Sequence, residues 1–228
     1  MKFKERVSAL VKKYRHAWVF LYLLIYMPWF LALEKHVTTH YHVIQIRLDE
    51  HIPFIEYFII PYLLWFVFIV VVFLYFFLTD VPGFYKMAGF MFTGMTIFLI
   101  ISTIFPNGQD LRPVVFERDN IFVDMVRILY RADTCTNVFP SLHVFNSLSA
   151  CIAIGESRAL KKHRGVCCGA YVLAGLIILA TVFLKQHSVV DVFGAALMAC
   201  ILYQFVYAPS KKRAPRFAKQ KSALLQNK

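Results

Sequence analysis

Charge is thin in this chain. Only 17% of its 228 residues are charged, and acids are the scarcer sign, with 13 Asp and Glu against 25 Lys and Arg. Hydrophobic residues make up 59% and mean hydropathy is +0.60, more apolar surface than a water-soluble core needs. The net charge of +12 invites a nucleic-acid reading. A nucleic-acid reader, however, carries its basic residues on folded polar elements, and here they fall between apolar runs, so no nucleic-acid partner is expected. Cysteine is also sparse. Of five, Cys151, Cys167, Cys168 and Cys200 lie in apolar runs, and Cys135 stands in a polar loop without an obvious partner, which excludes a disulfide framework. Internal repeats and low-complexity tracts are missing. So is a convincing cleavage site after the first apolar run, which is therefore expected to remain as an uncleaved span.

What is present is a series of apolar runs: 17–33, 57–78, 88–105, 139–154, 166–184 and 189–208. Each approaches the roughly 20 residues needed to cross about 30 Å of hydrocarbon. The expected fold is all-α, an integral membrane bundle of six transmembrane helices forming one domain over 1–228. Within it, 1–16 is a basic N-terminus, 106–207 carries the motifs, and 209–228 is a basic tail. The fourth run is the most polar, with His143, Asn146, Ser147 and Ser149; polar groups at such depth must face protein or a wet cavity.

Charge orients the bundle. When alternate loops go to opposite sides, 18 of the 25 Lys and Arg fall together: six in 1–16, Lys86, four in 156–165 and seven after Ala208. The other side has Lys35, Arg47, Arg112, Arg118, Arg127, Arg131 and Lys185, offset by nine acids. Under the positive-inside rule both termini are cytoplasmic. The tail cations Lys211, Lys212, Arg213, Arg216, Lys219 and Lys221 read as a topology signal and a contact for anionic lipid. Two outer loops, 34–56 and 106–138, are long, and the second exceeds a plain helix connection.

Three polar clusters sit at the outer ends of the spans: Gly108 to Pro113, Phe139 to His143, and Lys185 to Asp191. Pro140 suits a first helical turn, whose unpaired N–H groups and positive dipole end favour an anion. Ser141 adds a hydroxyl there and His143 an acid or base. The same tetrapeptide also fits an ordinary helix start with an interfacial histidine. His187 and Asp191, at i and i+4, share a helix face. Asp191 can accept the Nδ1 proton, leaving Nε2 as a nucleophile whose phosphorylated, cationic form the carboxylate stabilises. A packing pair would have the same spacing. Arg112 and Lys185 add cations suited to phosphate oxygens.

Arg112-Pro113, Pro140-Ser141-Leu142-His143 and His187-x-x-x-Asp191, in that order at one end of a six-span chain, resemble the type 2 phosphatidic acid phosphatase superfamily, which also includes vanadium haloperoxidases. The resemblance covers about the C-terminal half; the N-terminal half matches only in span count. It implies that His187 attacks phosphorus, Asp191 orients it, His143 protonates the leaving oxygen, and Arg112 with Ser141 and backbone amides binds phosphate. Three positions depart from the family pattern. Phe105 stands for a Lys, Leu142 for a Gly and Thr181 for an Arg, so two phosphate-binding cations are absent from their places. Lys185 is the candidate to replace one, and Arg118, Arg127 or Arg131 the other.

These departures look like the branch containing inositol phosphorylceramide synthases, and the missing Arg is similar to sphingomyelin synthases as well. Members of that branch pass a phospho-head-group to a lipid alcohol instead of water. The expected activity is lipid phosphate hydrolysis at the extracytoplasmic face of the cell membrane, with head-group transfer as the alternative. A non-enzymatic transporter is the competing class, and gathering of the polar residues at one membrane face speaks against it. The expected partners are a lipid phosphate and the bilayer, and a homo-oligomer is compatible with the sequence. No cofactor is implied. His36, His40, His42 and His51 could seat a metal by spacing, but no carboxylate or cysteine stands to match them, and a titrating interfacial loop is the favoured reading.

Overall fold

The computed structural model describes residues 2–37 and 40–209; the six tail cations named above lie outside the described residues. Helix α1 (Lys2–Lys13) is followed by a 3-10 stretch, Arg15–Tyr22, that leads into α2 (Leu23–His36). The first outer segment holds β1 (His42–Val43) and the short α3 (Arg47–His51). Then come α4 (Ile59–Thr79), α5 (Val81–Ile104), β2 (Asn107–Gly108) and α6 (Ile121–Ala132). The chain ends its described part with α7 (Leu142–Glu156), α8 (Arg164–Phe183) and α9 (Val189–Val206).

Side chains that replace missing helical partners mark the helix starts. Asp80 Oδ1 accepts from Gly83 N at 3.0 Å, with Pro82 in the first turn, so α5 begins well before the expected residue 88. Asn120 caps α6 through the Phe122 and Val123 N–H groups. Ser188 and Asp191 cap α9 reciprocally.

Among the described residues five helical segments are long and apolar enough to cross a membrane: Arg15–His36, Glu56–Thr79, Val81–Ile104, Arg164–Phe183 and Val189–Val206. Leu24, Phe66, Phe193 and Phe205 on their outer faces are each more than half exposed, as a lipid-facing surface requires. The fourth expected run is not among the five. It forms α7, whose 15 residues extend only about 22 Å at 1.5 Å per residue.

Helix α7 instead occupies the centre, packed on α4, α5, α8 and α9. Its polar residues are accommodated locally. Ser147 and Ser149 donate their hydroxyls to the His143 and Phe145 carbonyls, both at 2.7 Å. Gly94 of α5 lets α7 approach, since a Cβ there would stand 2.1 Å from the buried Phe145 ring.

At the end of the bundle where α7 begins, β1 and β2 pair in parallel, His42 with Asn107 and Val43 with Gly108. Gly108 also bridges Thr136, so the first outer segment, the end of α5 and the loop before α7 meet there. The contact demands glycine, because a Cβ on Gly108 would lie 2.6 Å from the Tyr41 ring.

Candidate active site

The three polar clusters are joined by direct hydrogen bonds. Gln109 Nε2, fully buried, donates to the Lys185 carbonyl at 2.8 Å. Ser141 N donates to the Asp191 carbonyl at 3.2 Å, and Arg112 Nη2 donates to Gln186 Oε1 at 2.6 Å. The turn between α8 and α9 closes on Thr181, whose carbonyl accepts from both Gln186 N (2.9 Å) and His187 N (3.0 Å). Lys185 takes the left-handed conformation, φ 53°, that ends a helix in this way. Thr181 is fully buried near the end of α8.

His187 and Asp191 face each other across the first turn of α9. His187 Nδ1 is 3.2 Å from Asp191 Oδ2, and the same oxygen accepts from Ser188 N at 2.9 Å. A carboxylate on Nδ1 holds the proton there and leaves Nε2 as the free ring nitrogen. The N-terminal half supplies a second carboxylate to the turn. Asp49, 1% exposed, accepts from Ser188 Oγ at 2.7 Å and from Val189 N at 2.8 Å. His143, the second residue of α7, stands with its ring 4.6 Å from that of Tyr62, 4.4 Å from that of Trp65 and 5.8 Å from that of His187.

Both histidines line one cavity of about 420 Å³. Its lining includes the polar residues Glu34, Asp133, Thr134, Asn137 and Gln186 and the apolar residues Tyr26, Met27, Phe30, Phe66 and Phe98. A larger hollow of about 780 Å³ lies at the opposite end of the bundle beside Asp80, Lys86 and Glu156, and it contains neither histidine.

The groups expected to bind phosphate are engaged within the protein. Arg112 Nη1 donates to the carbonyls of Tyr130 (3.3 Å) and Asp133 (2.8 Å), and Nη2 to that of Thr134 (2.7 Å) as well as to Gln186. Its guanidinium lies over the Tyr130 ring, and Arg112 does not line the cavity. Lys185 Nζ donates to the Asp49 and Ile52 carbonyls, each at 2.6 Å, so it braces the first outer segment. Burial pushes its pKa down against the opposing pull of Asp49. Ser141 Oγ accepts from Val144 N at 3.4 Å as the cap of α7. Arg118 pairs with Glu56 and Arg127 with Asp119 and Asp124.

Other cavity residues gave no signal in the sequence. Glu34 ends the first apolar run, and its carboxylate accepts from the Thr134 hydroxyl and from Asn137 Nδ2 at 2.9 Å. Burial raises the carboxyl pKa of Asp133 while Arg112 opposes the rise. Seven buried side-chain polar atoms lack a hydrogen-bond partner among the described residues. Five of them surround this site: Trp65 Nε1, Arg112 Nε, Asn137 Oδ1, Gln186 Nε2 and Asp191 Oδ1. The histidines of the first outer loop lie apart from it. His42 stacks on Phe105, with centroids 4.5 Å apart, and His51 bonds its own helix at the Arg47 carbonyl. Among the described residues no group of three or more His, Cys, Asp or Glu is placed to hold a metal ion.

No family model, curated protein or solved structure matches the chain.

Proposed function

We propose that this chain is a multi-pass phosphohydrolase of the cell membrane that cleaves a lipid phosphate, of the phosphatidic acid or isoprenyl pyrophosphate kind, through a phosphohistidine at the extracytoplasmic face. One observation carries the reading: a histidine held at Nδ1 by Asp191 and a second histidine open into the same cavity. The His187 Nε2 lone pair attacks phosphorus, and the P–O bond to the lipid breaks with its electron pair going to oxygen. His143 gives that oxygen a proton. Water then attacks the phosphohistidine, His143 takes the water proton, and the P–N bond breaks to release inorganic phosphate. Asp191 stabilises the cationic phosphoimidazole. The apolar lining of the cavity suits a hydrocarbon tail, and two of its residues, Met27 and Phe66, are also exposed on the surface. With α7 counted as a sixth crossing, both termini are cytoplasmic, consistent with the distribution of Lys and Arg.

The leaving group tests the roles of the histidines. His143→Ala should lose about 10²- to 10⁴-fold on an alkyl phosphate and recover much of it on an aryl phosphate, whose oxygen leaves without a proton. His187→Ala should be inactive on both. Rescue of His187→Ala by the aryl substrate reverses the assignment, and full activity of both variants removes the phosphohistidine mechanism.

A second reading has its own support. Among the described residues the cavity wall holds Glu34 and Asp133 and no Lys or Arg, which suits a phosphodiester head group better than a dianionic monoester. Head-group transfer to a lipid alcohol would then replace hydrolysis. Labelled phosphatidic acid, isoprenyl pyrophosphate and phosphatidylinositol, with and without ceramide or diacylglycerol, distinguish the two. Free phosphate from the first two supports hydrolysis, and a new phospholipid formed only with acceptor supports transfer.

A further inference from the structure

We infer that Gln186 is a phosphate-binding residue of this site, its Nε2 donating to a phosphoryl oxygen while its Oε1 ties that bond to the Arg112 guanidinium. The inference rests on the phosphoryl-transfer reading above. Gln186 is 2% exposed, adjoins His187 in the chain and lines the same cavity. Arg112 Nη2 reaches Oε1 at 2.6 Å, which fixes the orientation of the amide, because the flipped amide would set N–H groups against N–H groups. Nε2 is thereby left as a buried donor with no partner among the described residues.

A buried unpaired amide donor forfeits its hydration without a replacement partner, so its persistence beside a nucleophile needs a reason. A phosphoryl group on His187 supplies one, since its oxygens are acceptors only. Among the described residues the cavity wall offers no Lys or Arg for the task; Arg112 stands outside it, and its four Nη hydrogens are already committed to three carbonyls and to Gln186. The arginine charge therefore reaches the substrate through the amide, which it polarises. The ligand class is a tetrahedral phosphoryl group, and inorganic phosphate, the product of hydrolysis, is its simplest form.

Gln186→Glu separates this role from a structural one in the full-length purified protein. Glutamate still accepts from Arg112, and more strongly, but it has no donor and adds negative charge facing the phosphate. The variant should unfold at no lower temperature than the wild type. It should lose about 10²- to 10³-fold in kcat/KM, the usual effect of removing one donor to a developing oxyanion, and inhibition by inorganic phosphate should weaken by more than tenfold. Full activity with unchanged phosphate inhibition overturns the inference. Where Gln186→Glu is unstable, Gln186→Met, which removes donor and acceptor at similar length, must show the same losses. Calorimetry of inorganic phosphate binding to His187→Ala keeps the two questions apart. Retained turnover in His187→Ala sinks the phosphohistidine reading. The inference about Gln186 stands if adding Gln186→Glu to that background abolishes phosphate binding, and falls if binding is unaffected.

Discussion

Asp133 places a carboxylate where the surroundings resist its charge. Burial raises its pKa, Arg112 and His187 pull the other way, and Glu34 adds to the rise. A folded value above the unfolded one means that the stability contributed by the neutral form is present at low pH and lost as pH rises through the folded value. Asparagine is neutral throughout. Asp133→Asn should therefore melt close to the wild type below about pH 4, the ordinary carboxylate value, and at a higher temperature near neutrality, measured by thermal unfolding in detergent. A constant difference across that range removes the ionisation argument. At this scale the sequence was partly legible. His187 and Asp191 could be paired because a four-residue spacing has one geometric meaning on a helix. Gln186 and Asp49 could not be found that way. The first matters through an unpartnered Nε2, and the second reaches Ser188 and Val189 across about 140 residues of chain.

Helix α7 illustrates what hydropathy measures and what it leaves out. Its Asn146, Ser147 and Ser149 weaken it as a membrane span, but all three are buried against other helices, so they report contact with protein instead of lipid. The closeness of α5 and α7 depends on Gly94. A methyl group there would overlap the Phe145 ring, which is itself stacked on Phe90 with centroids 5.4 Å apart and planes 9° apart. Gly94→Ala should cost about 1–3 kcal/mol of stability through overpacking and reduce the proposed turnover, because α7 carries His143 in its first turn. Gly89, on the same helix, has nothing within 4 Å of an added Cβ. Gly89→Ala should be neutral or stabilise by up to about 1 kcal/mol. Equal melting temperatures for the two variants would show that helix propensity, not the approach of α7, governs α5.

The whole molecule has its polar cavity at the end where α7 and α9 begin and where α5 and α8 finish. The sidedness proposed for that end rests on charge. Its cations are largely occupied within the protein: Arg118 with Glu56, Arg127 with Asp119 and Asp124, and Arg112 and Lys185 with carbonyls. The opposite end presents Arg158, Lys161, Lys162 and Arg164 on an exposed connection. On the proposed topology the end richer in Lys and Arg is cytoplasmic and the cavity opens outside. Gln186 is too buried to report on this directly, whereas Val114, in the loop after α5, is 97% exposed. A cysteine at Val114, in a background with Cys135 replaced by alanine, should react with a membrane-impermeant maleimide on intact cells. A cysteine at Lys161 in that background should gain label only after permeabilisation. Expression at the surface is checked by a tag placed on each variant at the same position. If the Lys161 variant is labelled in intact cells while the Val114 variant waits for permeabilisation, the bundle is inverted and the two histidines work from the cytoplasmic side.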